Sequence, residues 1–369
     1  MSRILQSQVG DKLKVHILGA GSIGSLIAHD LKQQYKDQIS PILLLRPNKV
    51  IQSSNSSLSK NTTNIKLNRL YDPENELSSI DLEFVKPKNF EKHNSSEEIE
   101  NLIITTKSYQ TESAIKPFLN KITSNSKILI LQNGMGMKQN LINRYWKNES
   151  SLPSIFEGIT THGVFIDDKQ IINHASRGKL LISNSSNIEE GNLPPLIQSI
   201  IETSNLNTSY LNYNQFLLYQ IEKLIINCCI NPITALYNVR NGDLLYSNEI
   251  LNIWKSIIKE SIDILKLEYS TQLENIFESS SFLNEDRLLE VVIDCCKLTS
   301  QNSSSMRQDI RNLKTTEINN LNGYITFLGR KFNRTTIVNS MIVNLINLKF
   351  DLNKNLDLEA SKNLLSTYS

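Results

Sequence analysis

The pattern of apolar positions along this 369-residue chain changes character once, near residues 184–195. Before that point, short apolar runs alternate with stretches of helical spacing. Lys14–Leu18 (KVHIL) reads as a strand. Ser22–Tyr35 reads as a helix, with apolar positions at Ile23, Leu26, Ile27 and Leu31, and Ile42–Leu45 (ILLL) as a second buried strand. Together they make one βαβ unit. Asn101–Thr106 and Lys127–Gln132 are further strands, with Thr111–Ile122 as the helix between them. Weaker strands fall around Ile65–Leu67 and Leu82–Val85, and Phe90–Glu100 is polar with a helical tendency. Ser154–Ile166, Gln170–Ala175 and Lys179–Ser183 lie close together and read as antiparallel additions to the sheet. Strands alternating with helices predict a mainly parallel sheet, wound in the right-handed sense.

Two segments stand outside this pattern. Residues 1–11 read as a disordered leader. Residues 50–65 (VIQSSNSSLSKNTTNI) are polar and low in complexity, and read as a surface insertion or mobile loop. Beyond the turn-rich 184–195, strand signals almost vanish. Pro195–Thr203 reads as a helix with proline at its first position, where the missing N–H costs nothing. Asn214–Cys229, Ile250–Glu268, Asp286–Lys297, Thr316–Lys331 and Ile337–Leu348 are amphipathic helices.

Gly19-Ala20-Gly21-Ser22-Ile23-Gly24 fits G-x-G-x-x-G, directly after a strand and directly before a helix. That context gives an otherwise weak pattern its weight as a dinucleotide site. Gly19 allows the tight turn, Gly21 lets a pyrophosphate approach the backbone, and Gly24 lets the helix pack closely. The helix N-terminus offers N–H groups and a partial positive charge to the phosphates. Sites for NAD usually hold an acid at the end of the second strand. Here Arg46-Pro47-Asn48-Lys49 stands there instead. An arginine with a nearby lysine suits a 2′-phosphate, which predicts NADPH; the competing reading is a solvated loop arginine. Lys107 and Asn133 sit at the ends of later parallel strands, where ligand contacts gather. Asn133-Gly134 is also a good turn dipeptide.

These features predict an α/β, Rossmann-like domain over 12–209, with 50–65 inserted, and an all-α domain over 210–369 for substrate and dimerisation. The active site is expected in the cleft between them. Hydrophobic residues make up 39% of the chain, enough for sizeable cores, and the net charge is only +2. That charge argues against bulk binding to nucleic acid. Cys228, Cys229, Cys295 and Cys296 form two adjacent pairs in apolar stretches, without CxxC spacing for zinc, and read as buried free thiols in a reducing compartment. No apolar run reaches membrane-spanning length. The expected location is cytoplasmic, with a mitochondrial address left open by the leader. A monomer, or a homodimer through the helical domain, is expected.

The helical part carries two polar clusters. Lys223, Asn227 and Asn231 are spaced i, i+4, i+8, within about an 80° arc and spanning roughly 12 Å of helix. Their neighbours are apolar, so the stripe is costly to bury unless something bonds to it; a substrate or an internal network would serve. Pro232 is expected to kink the helix just after Asn231. The second cluster is Asn302–Asp309 (NSSSMRQD), followed by Thr315-Thr316-Glu317. By spacing alone, Ser305 is a helix cap and Glu317 an acid in a first helical turn.

At this point the chain resembles the ketopantoate reductases. The resemblance is carried, in order, by KVHILGAGSIGSLIAHDL, NLIITTKSYQ, KILILQNGMGM, EGITTHG, EKLIINCCINPITAL with NGDLL behind it, and SSSMRQDIRNLKTTEINNLNGYI. It covers about residues 14–325. It implies NADPH-dependent reduction of 2-dehydropantoate to (R)-pantoate in pantothenate biosynthesis. It implies Lys223 as general acid, Asn227 and Asn231 as substrate contacts, Ser305 on the substrate carboxylate and Glu317 on the terminal hydroxyl. Asn133 would lie by the nicotinamide ribose, and Asn302 would face substrate. Burial lowers a lysine pKa and a nearby glutamate raises it, so the sequence leaves that balance open. Two rival readings keep the fold: a reductase of another branched 2-keto acid, and a non-catalytic NADPH-binding regulatory protein.

Overall fold

The computed structural model describes residues 12–46, 61–72, 74, 76–87, 98–186 and 188–367. The leader 1–11, residues 50–60 of the expected insertion, residues 90–97 and the basic candidate Lys49 lie outside them. The chain forms two compact units. The first holds the chain up to Gln132 and Gly136–Phe216, and the second holds Asn133–Met135 and Leu217 onward.

The first unit is built on an eleven-stranded sheet in the order β11-β10-β7-β6-β5-β1-β2-β4-β3-β9-β8. Its strands are β1 (Leu13–Leu18), β2 (Ile39–Leu44), β3 (Thr62–Arg69), β4 (Ser78–Val85), β5 (Asn101–Ile104), β6 (Lys127–Leu131), β7 (Ser154–Thr160), β8 (Gly163–Ile166), β9 (Ile171–Ser176), β10 (Leu180–Ser183) and β11 (Thr208–Tyr210). The central ladder β7-β6-β5-β1-β2-β4 is parallel throughout. The pairs β3–β4, β7–β10 and β8–β9 are antiparallel. A mainly parallel sheet with antiparallel additions is therefore what the chain forms. Successive residues of the central strands serve opposite cores. Ile17, Ile103 and Leu129 join α1 (Ser22–Tyr35) and α4 (Pro195–Glu202) on one face. Leu18, Leu102, Ile104 and Ile128 join α2 (Thr111–Ile115) and α3 (Met137–Tyr145) on the other. Burial on both faces explains why these strands are apolar without alternation.

Several boundaries differ from the expectation, each for a local reason. Thr62–Ile65, read as part of the insertion, open β3; their inward positions alternate with polar ones, which a low-complexity reading overlooks. The helix expected over 111–122 is α for one turn only and continues as a 3-10 turn over Lys116–Lys121, which contains Pro117. Ser154–Ile166 is two strands: the first pairs parallel with β6 and antiparallel with β10, and the second pairs antiparallel with β9.

Those two strands reveal the shape of the sheet. Two residues, Thr161 and His162, join β7 to β8 at the far end of the sheet order. Each strand step spans about 4.8 Å, so two residues cannot cross an open sheet of that width. The sheet curls until β8 comes back beside the end of β7, and α1 packs against β2, β3, β4, β8 and β9. A buried polar chain ties the seam to α1. Arg69 donates to Asp30 of α1 and to His174 Nδ1. Arginine has only donors, so His174 must donate from Nε2 to His162 Nδ1 (2.9 Å), and His162 Nε2 to the Leu206 carbonyl (2.9 Å). Both rings are thereby neutral. Burial lowers both pKa values, His174 to about 4.

The second unit is helical. Its longest buried element is α5 (Tyr213–Tyr237), which begins in the first unit. It is followed by α6 (Glu249–Glu268), two short helices α7 (Ser270–Glu274) and α8 (Ser279–Phe282), α9 (Glu285–Leu298), α10 (Ser305–Arg311), α11 (Asn322–Lys331) and α12 (Ile337–Thr367). α12 runs well past the expected end at Leu348. Helix α5 also runs on through Pro232 to Tyr237, past the end expected at Cys229. Proline removes the donor for the Cys228 carbonyl. Asn322 Nδ2 supplies one at 3.2 Å, and the buried Trp254 Nε1 donates to the Cys229 carbonyl at 3.0 Å. The four cysteines are free; Cys228, Cys229 and Cys296 are buried in this core, and Cys295 partly so. No helix among the described residues is long and apolar enough to cross a membrane.

Candidate active site

The glycine turn has the shape a phosphate cradle requires. Gly19 is at φ +117°, and a Cβ there would lie 2.6 Å from the Thr106 nitrogen. A Cβ on Gly24 would lie 2.1 Å from the Gly19 carbonyl, so α1 can start this close to the turn only without one. Gly21 has open space where its Cβ would be. It is the N-cap of α1, with no side-chain cap and no acid in the first turn. The first N–H groups of α1, from Ser22 and Ile23, are thus left for an anion. Thr105 Oγ1 donates to the Gly19 carbonyl at 2.7 Å and braces the turn from β5. Ala20 lies within this turn.

Arg46 is exposed at the end of β2 and donates from Nη2 to Gln110 Oε1. Lys107 is half-buried after β5, and its carbonyl accepts from the Gln110 nitrogen (2.8 Å). The turn that carries Lys107 thereby presents Gln110 to Arg46. Gln132, at the end of β6, donates to the Thr106 carbonyl and to Thr111 Oγ1, both at 2.6 Å. These bonds fix the two loops beside the glycine turn.

In the helical unit, α5 places Lys223, Asn227 and Asn231 on one stripe, with Asn231 the most buried. Lys223 Nζ donates to Asn133 Oδ1 at 3.2 Å, and Asn133 Nδ2 donates to Glu317 Oε2 at 3.3 Å. One amide therefore bridges an ammonium and a buried carboxylate. Asn133 reaches this position through Gly134, at φ +87°, where a Cβ would lie 2.4 Å from the Asn320 carbonyl. The Asn-Gly pair is thus more than a turn signal. Burial lowers the Lys223 pKa to about 8, and the Glu317 charge opposes that shift. Glu317 is not in the first turn of an α-helix, as spacing suggested. It precedes a 3-10 turn over Ile318–Asn320, and α11 starts only after Leu321, at φ −108° and ψ −103°.

The serine run is also reassigned. Ser304, not Ser305, caps α10, accepting from the Arg307 nitrogen at 3.1 Å. Its hydroxyl also lies 2.7 Å from Thr234 Oγ1, which ties the run to the Asn231 end of α5. Ser305 and Asn302 are exposed, and among the described residues neither bonds to Lys223, Asn227 or Asn231. The structure thus joins Lys223, Asn133 and Glu317 directly, and Ser305 and Asn302 only through their segment.

Residues 15–187 match the family model for ketopantoate reductase PanE/ApbA, and residues 215–350 match the model for its C-terminal part. A probable 2-dehydropantoate 2-reductase of Schizosaccharomyces pombe is 35% identical over 349 residues, covering 92% of this chain and 97% of the relative. The chain belongs to the ketopantoate reductase family. A solved structure of a probable 2-dehydropantoate 2-reductase from Bacillus subtilis is similar at TM-score 0.66 and 25% identity, over 91% of this chain and 100% of that one. A D-mandelate dehydrogenase solved with NADH and anilino(oxo)acetate reaches TM-score 0.74 over 93% of this chain and 100% of that one. At 19% identity, that likeness shows the fold alone.

Within this member of the family, the sequence reading missed Thr105, Gln110, Gln132 and Ser304. Thr105 and Gln132 stand at strand ends beside recognised positions, in TTKSYQ and LQNG, and Gln110 closes the 3-10 turn that follows Lys107. Polar residues that close a parallel strand were the available signal. Nothing in the run Ser303-Ser304-Ser305 distinguishes its members before the helix start is known.

Proposed function

We propose that this chain reduces 2-dehydropantoate to (R)-pantoate with NADPH, with Lys223 as general acid. The observation that carries the reading is the Lys223–Asn133–Glu317 chain, with its ammonium at a pKa of about 8. Ketone reduction places negative charge on the carbonyl oxygen. An ammonium held by a side-chain amide is oriented to stabilise that oxygen and then protonate it. A pKa of about 8 keeps much of the lysine protonated at neutral pH, yet lets it release a proton readily. Glu317 raises the pKa against burial and so preserves the acid form. As a buried carboxylate it also favours a substrate that offers a hydroxyl donor. Asn227 and Asn231 extend the polar stripe along the substrate, and Ser305 and Asn302 serve its carboxylate end.

When bound, the nicotinamide cofactor supplies the hydride. The open space at Gly21, the uncapped start of α1 and the absence of a Cβ at Gly24 fit a pyrophosphate there. Arg46, held by Gln110, is suited to the 2′-phosphate, and Lys107 adds a second cation beside the same turn.

The test is NADPH oxidation by the purified protein with 2-dehydropantoate and, separately, with 2-ketoisovalerate. A higher kcat/KM for 2-dehydropantoate is expected. Preference for the simpler acid would overturn the substrate, and cofactor binding without turnover would overturn the activity.

A further inference from the structure

Pro232 leaves the Cys228 carbonyl without its helical donor, one residue after Asn227 and three before Asn231. That carbonyl is answered by a relay of side chains from three other helices. Glu260 of α6 caps α12: its Oε1 accepts from the Val338 nitrogen at 2.9 Å and its Oε2 from the Asn339 nitrogen at 3.0 Å. The same Oε2 accepts from Asn339 Nδ2 at 2.9 Å. A carboxylate only accepts, so the Asn339 amide must turn its oxygen the other way. Asn339 Oδ1 accepts from Asn322 Nδ2 at 2.9 Å, and Asn322 Nδ2 also donates to the Cys228 carbonyl at 3.2 Å. Asn322 and Asn339 are fully buried.

The direction of every bond is therefore set from the Glu260 end. Both hydrogens of the Asn322 amide are used, and its Oδ1 is buried without a partner among the described residues. A buried acceptor left unmade costs free energy, so the amide is kept here for its two donated bonds. Asn322 is the first residue of α11 and stands five positions after Glu317. The Asn320 nitrogen donates to the Glu317 carbonyl at 2.9 Å, and the Leu321 nitrogen to the Ile318 carbonyl at 3.2 Å. These turns make 317–322 one short, stiff piece. At Asn320 its carbonyl abuts Gly134, beside Asn133. At Asn322 it is bonded to the helix that carries Lys223.

We propose that Asn322, aimed by Asn339 and Glu260, is a positioning residue that pins the Glu317 segment to α5 and so holds Glu317 at the Asn133–Lys223 pair. The inference rests on the reductase reading and adds to it residues that act through others. The proline is part of the device: with an ordinary residue at position 232, the Cys228 carbonyl would be taken by the helix itself. Its freed oxygen is the point on α5 to which the Glu317 segment is fastened. Glu317 is the charge that raises the Lys223 pKa against burial, so its distance from the lysine is read out in the pH dependence of the reaction.

The experiment measures kcat, KM and the pH profile of 2-dehydropantoate reduction by NADPH, beside urea unfolding, for the wild type and three variants. Asn322→Ala should lower kcat about tenfold, because a displacement of about an ångström misaligns reacting groups, and change the KM for NADPH less than about twofold. Its falling limb, near pH 8 in the wild type, should move to lower pH as Glu317 drifts from Lys223. Glu260→Gln, at the half-buried outer end of the relay, puts a donor where Asn339 needs an acceptor. It should show the same signs at smaller size, and it carries the test if Asn322→Ala does not fold. Trp254→Phe is the structural control. It removes the bond to the Cys229 carbonyl, next along α5, and Trp254 has no hydrogen bond to 317–322 among the described residues. This variant should unfold at lower urea and keep its limb in place. A limb that stays in place in either folded relay variant, or moves as far in Trp254→Phe, would overturn the inference. A wild type that does not reduce 2-dehydropantoate would instead overturn the reductase reading, and this inference with it.

Discussion

Lys223 and Asn133 are ninety positions apart, yet Lys223 Nζ donates to Asn133 Oδ1 at 3.2 Å. Asn133 stands two residues beyond the end of β6, but the segment Asn133–Met135 belongs to the helical unit. The chain thus leaves its parallel sheet for three residues to supply the amide that orients the lysine. Glu317 holds the other end of that amide.

If Lys223 acts as the acid, reduction should fall as pH rises through about 8, where the ammonium is lost. Glu317 raises this pKa, so Glu317→Gln should move the falling limb to lower pH. Lys223→Met should lower kcat by roughly 100-fold or more while leaving NADPH affinity nearly intact. Rate profiles with pH, together with fluorescence titration of NADPH, check all three. A limb that stays in place in Glu317→Gln would refute the coupling.

Arg46→Ala should weaken NADPH on the order of tenfold or more and leave NADH almost unchanged, since only NADPH carries the 2′-phosphate. Gln110→Ala, which frees the guanidinium, should give a smaller loss of the same sign. Equal losses for both cofactors would show that Arg46 does not read the phosphate.

Gly134→Ala should impair catalysis while leaving the glycine turn of the cofactor site intact. The added Cβ meets the Asn320 carbonyl at 2.4 Å, in a backbone conformation that L side chains rarely adopt. The loop must shift and carry Asn133 away from Lys223. The expected result is a lower kcat, with a smaller loss of NADPH affinity because Asn133 is also expected beside the nicotinamide ribose. A variant with wild-type kcat would mean that Asn133 does not orient the lysine.

The seam of the first unit should be sensitive to acid. His174 has a folded pKa of about 4, well below the 6.5 of an unfolded histidine, and that of His162 is also lowered. The unfolded chain therefore binds more protons between these values. The contribution is fully present above pH 6.5 and is lost as pH falls toward 4. From His174 alone the loss should reach about 2 kcal/mol by pH 5. Urea unfolding at pH 7, 6 and 5 measures it, before most carboxylates titrate. Constant stability across that range would mean the histidines are not neutral in the fold.

Much of the cofactor half was legible in the sequence, because its signals are local. A strand, a G-x-G-x-x-G turn and a helix lie within about two dozen residues, and backbone sterics alone assign each glycine its place. The two-sided burial of the central strands also shows in their unbroken apolar runs. Lys223, Asn227 and Asn231 could be placed on one stripe because helical periodicity is a property of the chain itself.

What the sequence could not decide depends on contacts between distant residues. The curling that brings β8 back beside β7 appears only when the eleven-strand order is known. The continuation of α5 through Pro232 is supported by Asn322, which donates to the freed Cys228 carbonyl, and by Trp254, which donates to the Cys229 carbonyl, both from other helices. The choice of Ser304 over Ser305 as cap followed from where α10 begins, and the bond from Arg307 to Asn238 from a loop pairing about sixty residues apart. Backbone preference and periodicity are written residue by residue, whereas hydrogen-bond partners and electric fields are settled only when the chain has brought remote groups within a few ångströms of each other.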